Sequence, residues 1–458
     1  MNDQSHPPDE PDEHRAAPSE RRRFLAGGAA IGGGLASALV GGGCATAQQG
    51  AGPVGAATGA AGVAGVSGDK AGFTGPGIMT EEQPLYRLPR DHAYHGGPFY
   101  RTNDFNEWHY ITILGKDLET GNDVSVFWVP LSQGWIQAEG RPLQNALFSF
   151  HDIKTGEFRT ALSYYPGAFR SEGTPMDAKD FRFKYGMSTP DSSFETEYTS
   201  ADETWRFKGK STVSNDRNSP YDLEFTSIAR SPGYVPAAYW GVESIGYDPL
   251  DRQNPETMYG LTYYYTAPRM ESKGVLRLPN RTVRFEGWGW YEHQWGNFRN
   301  TLQYRYFYGY CRLNNGDMFS WRQYYEGRGF TKPRHEVNRY QHIDGKTGRR
   351  YNAFGPAFVA TPTRSWTSPK TGQTYPWWGE MKTPHGTLYY GPSHPDQEGV
   401  GLLGGFIEGV IVFREGSPSG PVVGTGFCEI VDLDPSEGPP ASRTLPENPA
   451  LHWKPLPR

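Results

Sequence analysis

Alternation of apolar and polar residues with a period of two dominates the chain from about residue 100 onward. That period places successive side chains on opposite faces of an extended strand. Asp104 to Leu114 reads as one strand, Lys116 to Asn122 as its turn, and Val124 to Val129 as the return of a hairpin. Ala146 to Ile153, a turn at Lys154-Thr155-Gly156 and Phe158 to Tyr165 repeat the pattern, and Trp205 to Lys210 and Asp222 to Phe225 extend it. Strands resume at Leu261 to Tyr265, Arg281 to Glu286, Tyr304 to Cys311, Met318 to Arg322, Gly405 to Phe413 and Gly424 to Ile430. With no ten-residue helical pattern between them, the spacing predicts an all-β protein of barrel or sandwich type. Two β domains are expected, 83–245 and 246–452, divided where the strands pause after Ser231 to Pro249.

Gly287-Trp288-Gly289-Trp290-Tyr291-Glu292-His293-Gln294-Trp295-Gly296 is the densest chemistry in the chain. On a strand, Trp290, Glu292 and Gln294 share one face, and Tyr291, His293 and Trp295 share the other. If the first face lines a pocket, Glu292 is a carboxyl group in apolar surroundings. Burial then disfavours its charged form and equips it to deliver a proton. The competing reading is a tightly packed core strand whose acid pairs with an arginine. His293 lies opposite Glu292 unless a bulge, for which Gly287 and Gly289 leave room, reorients the strand. It reads as a hydrogen-bonded core histidine or as a catalytic group; His109 and His151 read as structural. Arg269, after Pro268, reads as a partner for a carboxylate.

Composition narrows the picture. The 458 residues include 58 Gly and 38 Pro, and aromatics reach 14%, which suits many short strands and turns. Net charge is −5 with both signs dispersed, so no basic stripe for nucleic acid is present. Mean hydropathy is −0.68, against a membrane-spanning chain. Glu20-Arg21-Arg22-Arg23-Phe24-Leu25 resembles a twin-arginine signal, and the soft Ala26 to Val40 run and the small-x-small site at Ala45-Thr46-Ala47 complete an export segment over 1–47. The twin-arginine translocase is then a partner during export to the periplasm or beyond. A membrane tether is expected only if Cys44 is lipidated. Residues 48–82, rich in Gly and Ala, form a spacer. Cys311 and Cys428 remain after cleavage, as one bridge or as two small core residues.

Tyr263 to Arg269, Gly274 and Gly289 to Gly296, in this order, resemble the signature of a superfamily. It contains carotenoid 1,2-hydratase (hydroxyneurosporene synthase), AttH-type secreted hydrolases, fungal hydratases and lipocalin-like Diels–Alderases. Glu107-Trp108-His109-Tyr110, His151-Asp152, Phe406 to Gly409 and Gly424 to Glu429 fit its other strands, so the resemblance spans roughly 100–432. It implies two lipocalin-like β domains with a hydrophobic pocket near their junction. In the hydratase branch an aromatic two residues before an acid accompanies protonation of an isoprenoid double bond. Carried over, Trp290 takes the aromatic position, usually tyrosine, and Glu292 that of the acid, usually aspartate. Glutamate reaches one methylene further, and tryptophan offers a ring face to a cation instead of a hydroxyl. The Trp-x-acid form is closer to the AttH-type group.

The resulting expectation is a cofactor-independent hydratase acting on a hydrophobic isoprenoid-like molecule. Glu292, Trp290 and His293 carry the chemistry; Trp288, Tyr291, Trp295, Tyr265, Trp108 and His109 line the substrate site. A non-catalytic carrier of a hydrophobic small molecule is the alternative. No metal is expected, because none of the 12 histidines forms a His-x-His or His-x3-His pair. No Gly-x-Ser-x-Gly elbow is present, nor a Gly-rich phosphate loop leading into a helix.

Overall fold

The computed structural model describes residues 86–432, apart from short internal stretches and the segment 245–260. The expected export segment, Cys44, the spacer and the residues after 432 lie outside the described residues. The architecture is the expected all-β, lipocalin-like one: two curled half-barrel sheets. Among the described residues, helical structure is limited to short 3-10 segments, including those at Arg90–His92, Arg328–Phe330 and Gly355–Ala357.

The first sheet joins, in neighbour order, Arg141–Asp152, Asp123–Gln133, Phe105–Asp117, Thr282–Asn297, Leu261–Arg277, Tyr221–Ala229, Thr204–Ser211, Ser192–Thr199 and Arg182–Ser188. Large aromatics at alternate positions make this sheet roll. Phe148 stacks on Tyr221 at 4.3 Å, and Tyr165 meets Phe194 at 5.3 Å, although their strands are far apart in the ladder. The curl closes around an apolar interior built from Trp128, Phe148, Trp205, Phe207 and Phe285. Gly209 is required here, because a Cβ at that position would lie 2.4 Å from the Trp128 indole.

The second sheet runs Arg339–Ile343, Met318–Glu326, Arg305–Leu313, Val422–Asp432, Gly404–Glu415, Gly386–Pro392, Thr374–Thr383 and Val359–Thr367. Its concave side holds Phe307, Trp321, Trp377 and Phe413. A third apolar cluster joins the two sheets, taking Trp108, Tyr110, Phe127 and Trp290 from the first and Tyr308, Tyr310, Val410 and Phe427 from the second. Each sheet thus buries both faces over its central strands, one inward and one against its partner.

Two expectations are corrected. The division between sheets falls between Asn297 and Arg305, not near residue 245: Leu261–Arg277 and Thr282–Asn297 pair within the first sheet. The strand-poor stretch before 261 is an interruption in sequence pattern, and hydrogen-bond pairing crosses it. Nor does a bulge turn His293 toward Glu292. Pairing with Phe105–Asp117 is continuous from Asn297 to Phe285, and the irregularity lies on the other neighbour, between Ala267 and Met270. Gly287 instead permits close chain approach, since a Cβ there would sit 2.3 Å from the Leu114 carbonyl oxygen. Cys311 and Cys428 are both free and buried, so they are small core residues.

Candidate active site at the junction of the sheets

The Thr282–Asn297 strand lies between Phe105–Asp117 and Leu261–Arg277, so its alternation is fixed from both sides. Trp288, Trp290 and Glu292 face the second sheet, whereas Tyr291, His293 and Trp295 enter the interior of the first. Across the first sheet Glu292 stands between Tyr110 and Thr266. The second sheet presents a matching row across four strands: Arg322 opposite Tyr308, Tyr308 opposite Glu429, and Glu429 opposite Glu408. Three carboxyl groups and one guanidinium therefore meet in an aromatic junction.

Glu292 is 2% exposed. Its Oε1 accepts a 2.6 Å hydrogen bond from the Trp290 indole N–H. Among the described residues no arginine or lysine lies within ion-pairing distance of it. Burial pushes its carboxyl up to about 8. The Trp290 N–H, the Tyr264 hydroxyl and the Arg322 charge oppose that rise, and Glu429 adds to it. The desolvation cost wins because the opposing donors are neutral or distant. Glu408 is also buried, and burial with the neighbouring Glu429 and Glu292 charges drives it well above the usual carboxylate range. Glu429 is raised mainly by burial, but Tyr306 donates a 2.5 Å hydrogen bond to it and Arg322 draws it down. The three acids thus occupy graded environments, the arrangement that separates proton donor from acceptor.

Aromatic rings define the remaining walls. Trp290 stacks on Tyr310 at 4.5 Å and 5°. Arg322 lies 4.7 Å from the centre of the Tyr308 ring, and the Tyr264 and Tyr308 hydroxyls share a 3.1 Å hydrogen bond. A cavity of about 40 Å³ lies beside Tyr264, Thr266, Tyr308 and Arg322, enough for a water molecule. Among the described residues the Thr266 hydroxyl and Glu408 Oε2 are buried without a hydrogen-bond partner, and the buried Tyr110, Tyr310 and Thr112 hydroxyls face one another. Each such group costs about 1–3 kcal/mol if left unpaired, so the junction is built to hold polar guests. Further along the same face a cleft of about 840 Å³ is lined by Trp288, Leu114, Val410, Arg269 and Arg312. Among the described residues Arg269 forms no ion pair with a carboxylate, contrary to expectation.

Of the nine residues singled out from sequence, Glu292, Trp290, Trp288 and Trp108 share the junction side. His293, Tyr291, Trp295, Tyr265 and His109 lie across the sheet in the first interior, where His109 stacks on His293 at 3.9 Å. The expectation that His293 shares the chemistry with Glu292, and that His109 lines the same site, is therefore corrected: a β-sheet separates both from Glu292. Glu408, Glu429, Arg322, Tyr264 and Tyr308 were missed. Phe406 to Gly409 and Gly424 to Glu429 did mark the acids, but only pairing of distant strands brings them to Glu292.

An acid-bearing junction between two curled sheets defines a class of lipocalin-like two-sheet proteins. Within it, the chain belongs to the AttH-like family, whose profile matches residues 79–432. The fold is similar to the crystal structure of an AttH protein from Nitrosomonas europaea, with a TM-score of 0.58 and 16% identity over 78% of this chain and 99% of that one. It is also similar to kievitone hydratase from Nectria haematococca, with a TM-score of 0.51 and 17% identity over 77% of this chain and 96% of that one. No curated protein sequence matches the chain.

Proposed function

We propose that the protein is a cofactor-independent hydratase that adds water to a carbon–carbon double bond of an apolar, isoprenoid-like substrate. The observation that carries this reading is Glu292, a carboxyl raised to about 8 by burial and flanked by aromatic rings. Kinship with a fold that also serves kievitone hydratase is consistent with it. Glu292 transfers its proton to one alkene carbon as the π electrons form the new C–H bond. The cation left on the other carbon is held against the faces of Trp290 and the junction tyrosines. Water attacks that carbon and loses a proton to the Glu429 carboxylate, whose negative charge Arg322 and Tyr306 favour against the rise due to burial. Proton return from Glu429 to Glu292 closes the cycle, so one water is added and both acids are restored. The carotenoid 1,2-hydratase reaction is the form in which this chemistry is first to be sought.

The test is incubation with an acyclic carotenoid in heavy-oxygen water. Label in an alcohol product with the wild type, lost in Glu292→Gln, supports the reading; equal label in both refutes it. A carrier of a hydrophobic small molecule is the second reading, favoured by the 840 Å³ cleft beside Trp288. It predicts a bound apolar compound with no turnover, and binding indifferent to Glu292→Gln.

A further inference from the structure

On the far side of the same sheet, within the first half-barrel, three imidazoles converge on one carboxylate oxygen. His95 Nδ1 is 2.9 Å and His293 Nε2 2.8 Å from Glu107 Oε1, and His109 Nε2 is 3.8 Å away. The ligand-capable atoms of His95, Glu107 and His293 all lie within 4.8 Å of one another. The second nitrogen of each ring faces a polar group, the Tyr265 hydroxyl being shared with His92. His293 Nδ1 sits 3.1 Å from the Tyr265 hydroxyl, His109 Nδ1 2.7 Å from that of Tyr291, and His95 Nε2 3.6 Å from Asp91. This is the outer-shell pattern that fixes ring orientation around a metal. His109 Nε2 is buried with no hydrogen-bond partner and is aimed at the cluster.

We propose that His95, Glu107 and His293 bind a divalent cation of the Zn²⁺ class, with His109 beside the fourth position. Two nitrogens and a carboxylate oxygen suit Zn²⁺, whose ligand atoms stand roughly 3.3 Å apart in a tetrahedral site with bonds of about 2.0–2.1 Å. The two Glu107–histidine separations, 2.9 and 2.8 Å, need widen by only a few tenths of an ångström. His109, now stacked on His293, must tilt to become a ligand; otherwise water completes the set. Glu107 supplies one formal negative charge at the cation position, while that of Asp91 is paired with the Arg90 guanidinium. The site lies across a sheet from Glu292 and is independent of the proposed hydration. No His-x-His spacing marks the site, because Glu107 and His109 alternate on one strand face and the others come from residues 95 and 293.

The full chain, stripped with a chelator and dialysed, is titrated with Zn²⁺ alone and followed by calorimetry and thermal unfolding. The expected result is one Zn²⁺ per chain and a melting temperature that rises with Zn²⁺. His95→Asn, at a side chain 11% exposed, is expected to weaken affinity at least about tenfold, while His151→Asn leaves it unchanged. Absence of saturable binding to the wild type, or equal binding by His95→Asn and Glu107→Gln, overturns the proposal. The wild-type titration decides the matter even if a variant fails to fold.

Discussion

Replacing Glu292 by glutamine separates the cost of the acid from its use. Glutamine preserves the shape and the oxygen that accepts the Trp290 N–H, and removes only the ionisable proton. The carboxyl is raised from 4.5 to about 8 in the folded chain, a shift of 8 − 4.5 = 3.5. A raised folded-state value means the native protein holds this proton more tightly than the unfolded chain. Stability from this group is therefore intact below pH 4.5 and is lost as pH rises toward 8. At 1.36 kcal/mol per unit, the loss is of the order of 5 kcal/mol above pH 8. Denaturant unfolding of wild type and Glu292→Gln from pH 4 to pH 9 reads this directly. The stability difference should change in favour of the variant by several kcal/mol across that range. At pH 7 about nine-tenths of the wild-type carboxyl is protonated, so the variant should also lose about 10²–10⁴-fold in turnover. Parallel stability curves at all pH values would refute the argument, because they would mean that Glu292 ionises in the fold as it does in water.

Other expectations follow from neighbouring contacts. Trp290→Phe removes the N–H donor that holds Glu292 down, so the high-pH limb of its titration should move upward, as read in the pH dependence of unfolding or of turnover. Tyr310→Phe deletes a buried hydroxyl that shares only the neutral Thr112 and Tyr110 hydroxyls, and should change stability by about 1 kcal/mol or less in denaturant unfolding. Gly287→Ala drives a Cβ to 2.3 Å from the Leu114 carbonyl oxygen and should cost about 1–3 kcal/mol by the same measurement.

Local pattern made much of this legible. A period of two placed Glu292 and Trp290 on one face and His293 on the other, and that separation holds across an unbroken ladder. The Asp117 to Asn122 turn and the strands on either side were equally readable, because turn residues and β-branched runs act within a few positions. Long-range pairing was not. Glu408 and Glu429 meet Glu292 only because the second sheet packs on the first, and nothing in the spacing of residues 292, 408 and 429 encodes that contact. The sheet boundary was displaced for the same reason: the pause before Leu261 is a property of composition, whereas the return of Leu261–Arg277 to Tyr221–Ala229 is a property of pairing. The histidine cluster was hidden likewise, since Glu107 and His293 are 186 positions apart.

The most direct measurement is the protonation state of Glu292 itself, read by infrared difference spectroscopy of wild type against Glu292→Gln as pH is varied. A protonated carboxyl band, absent from the variant, is expected to persist through pH 7 and fade near pH 8. A carboxylate already fully ionised at pH 6 would contradict it and leave the tryptophan-rich strand a packing element.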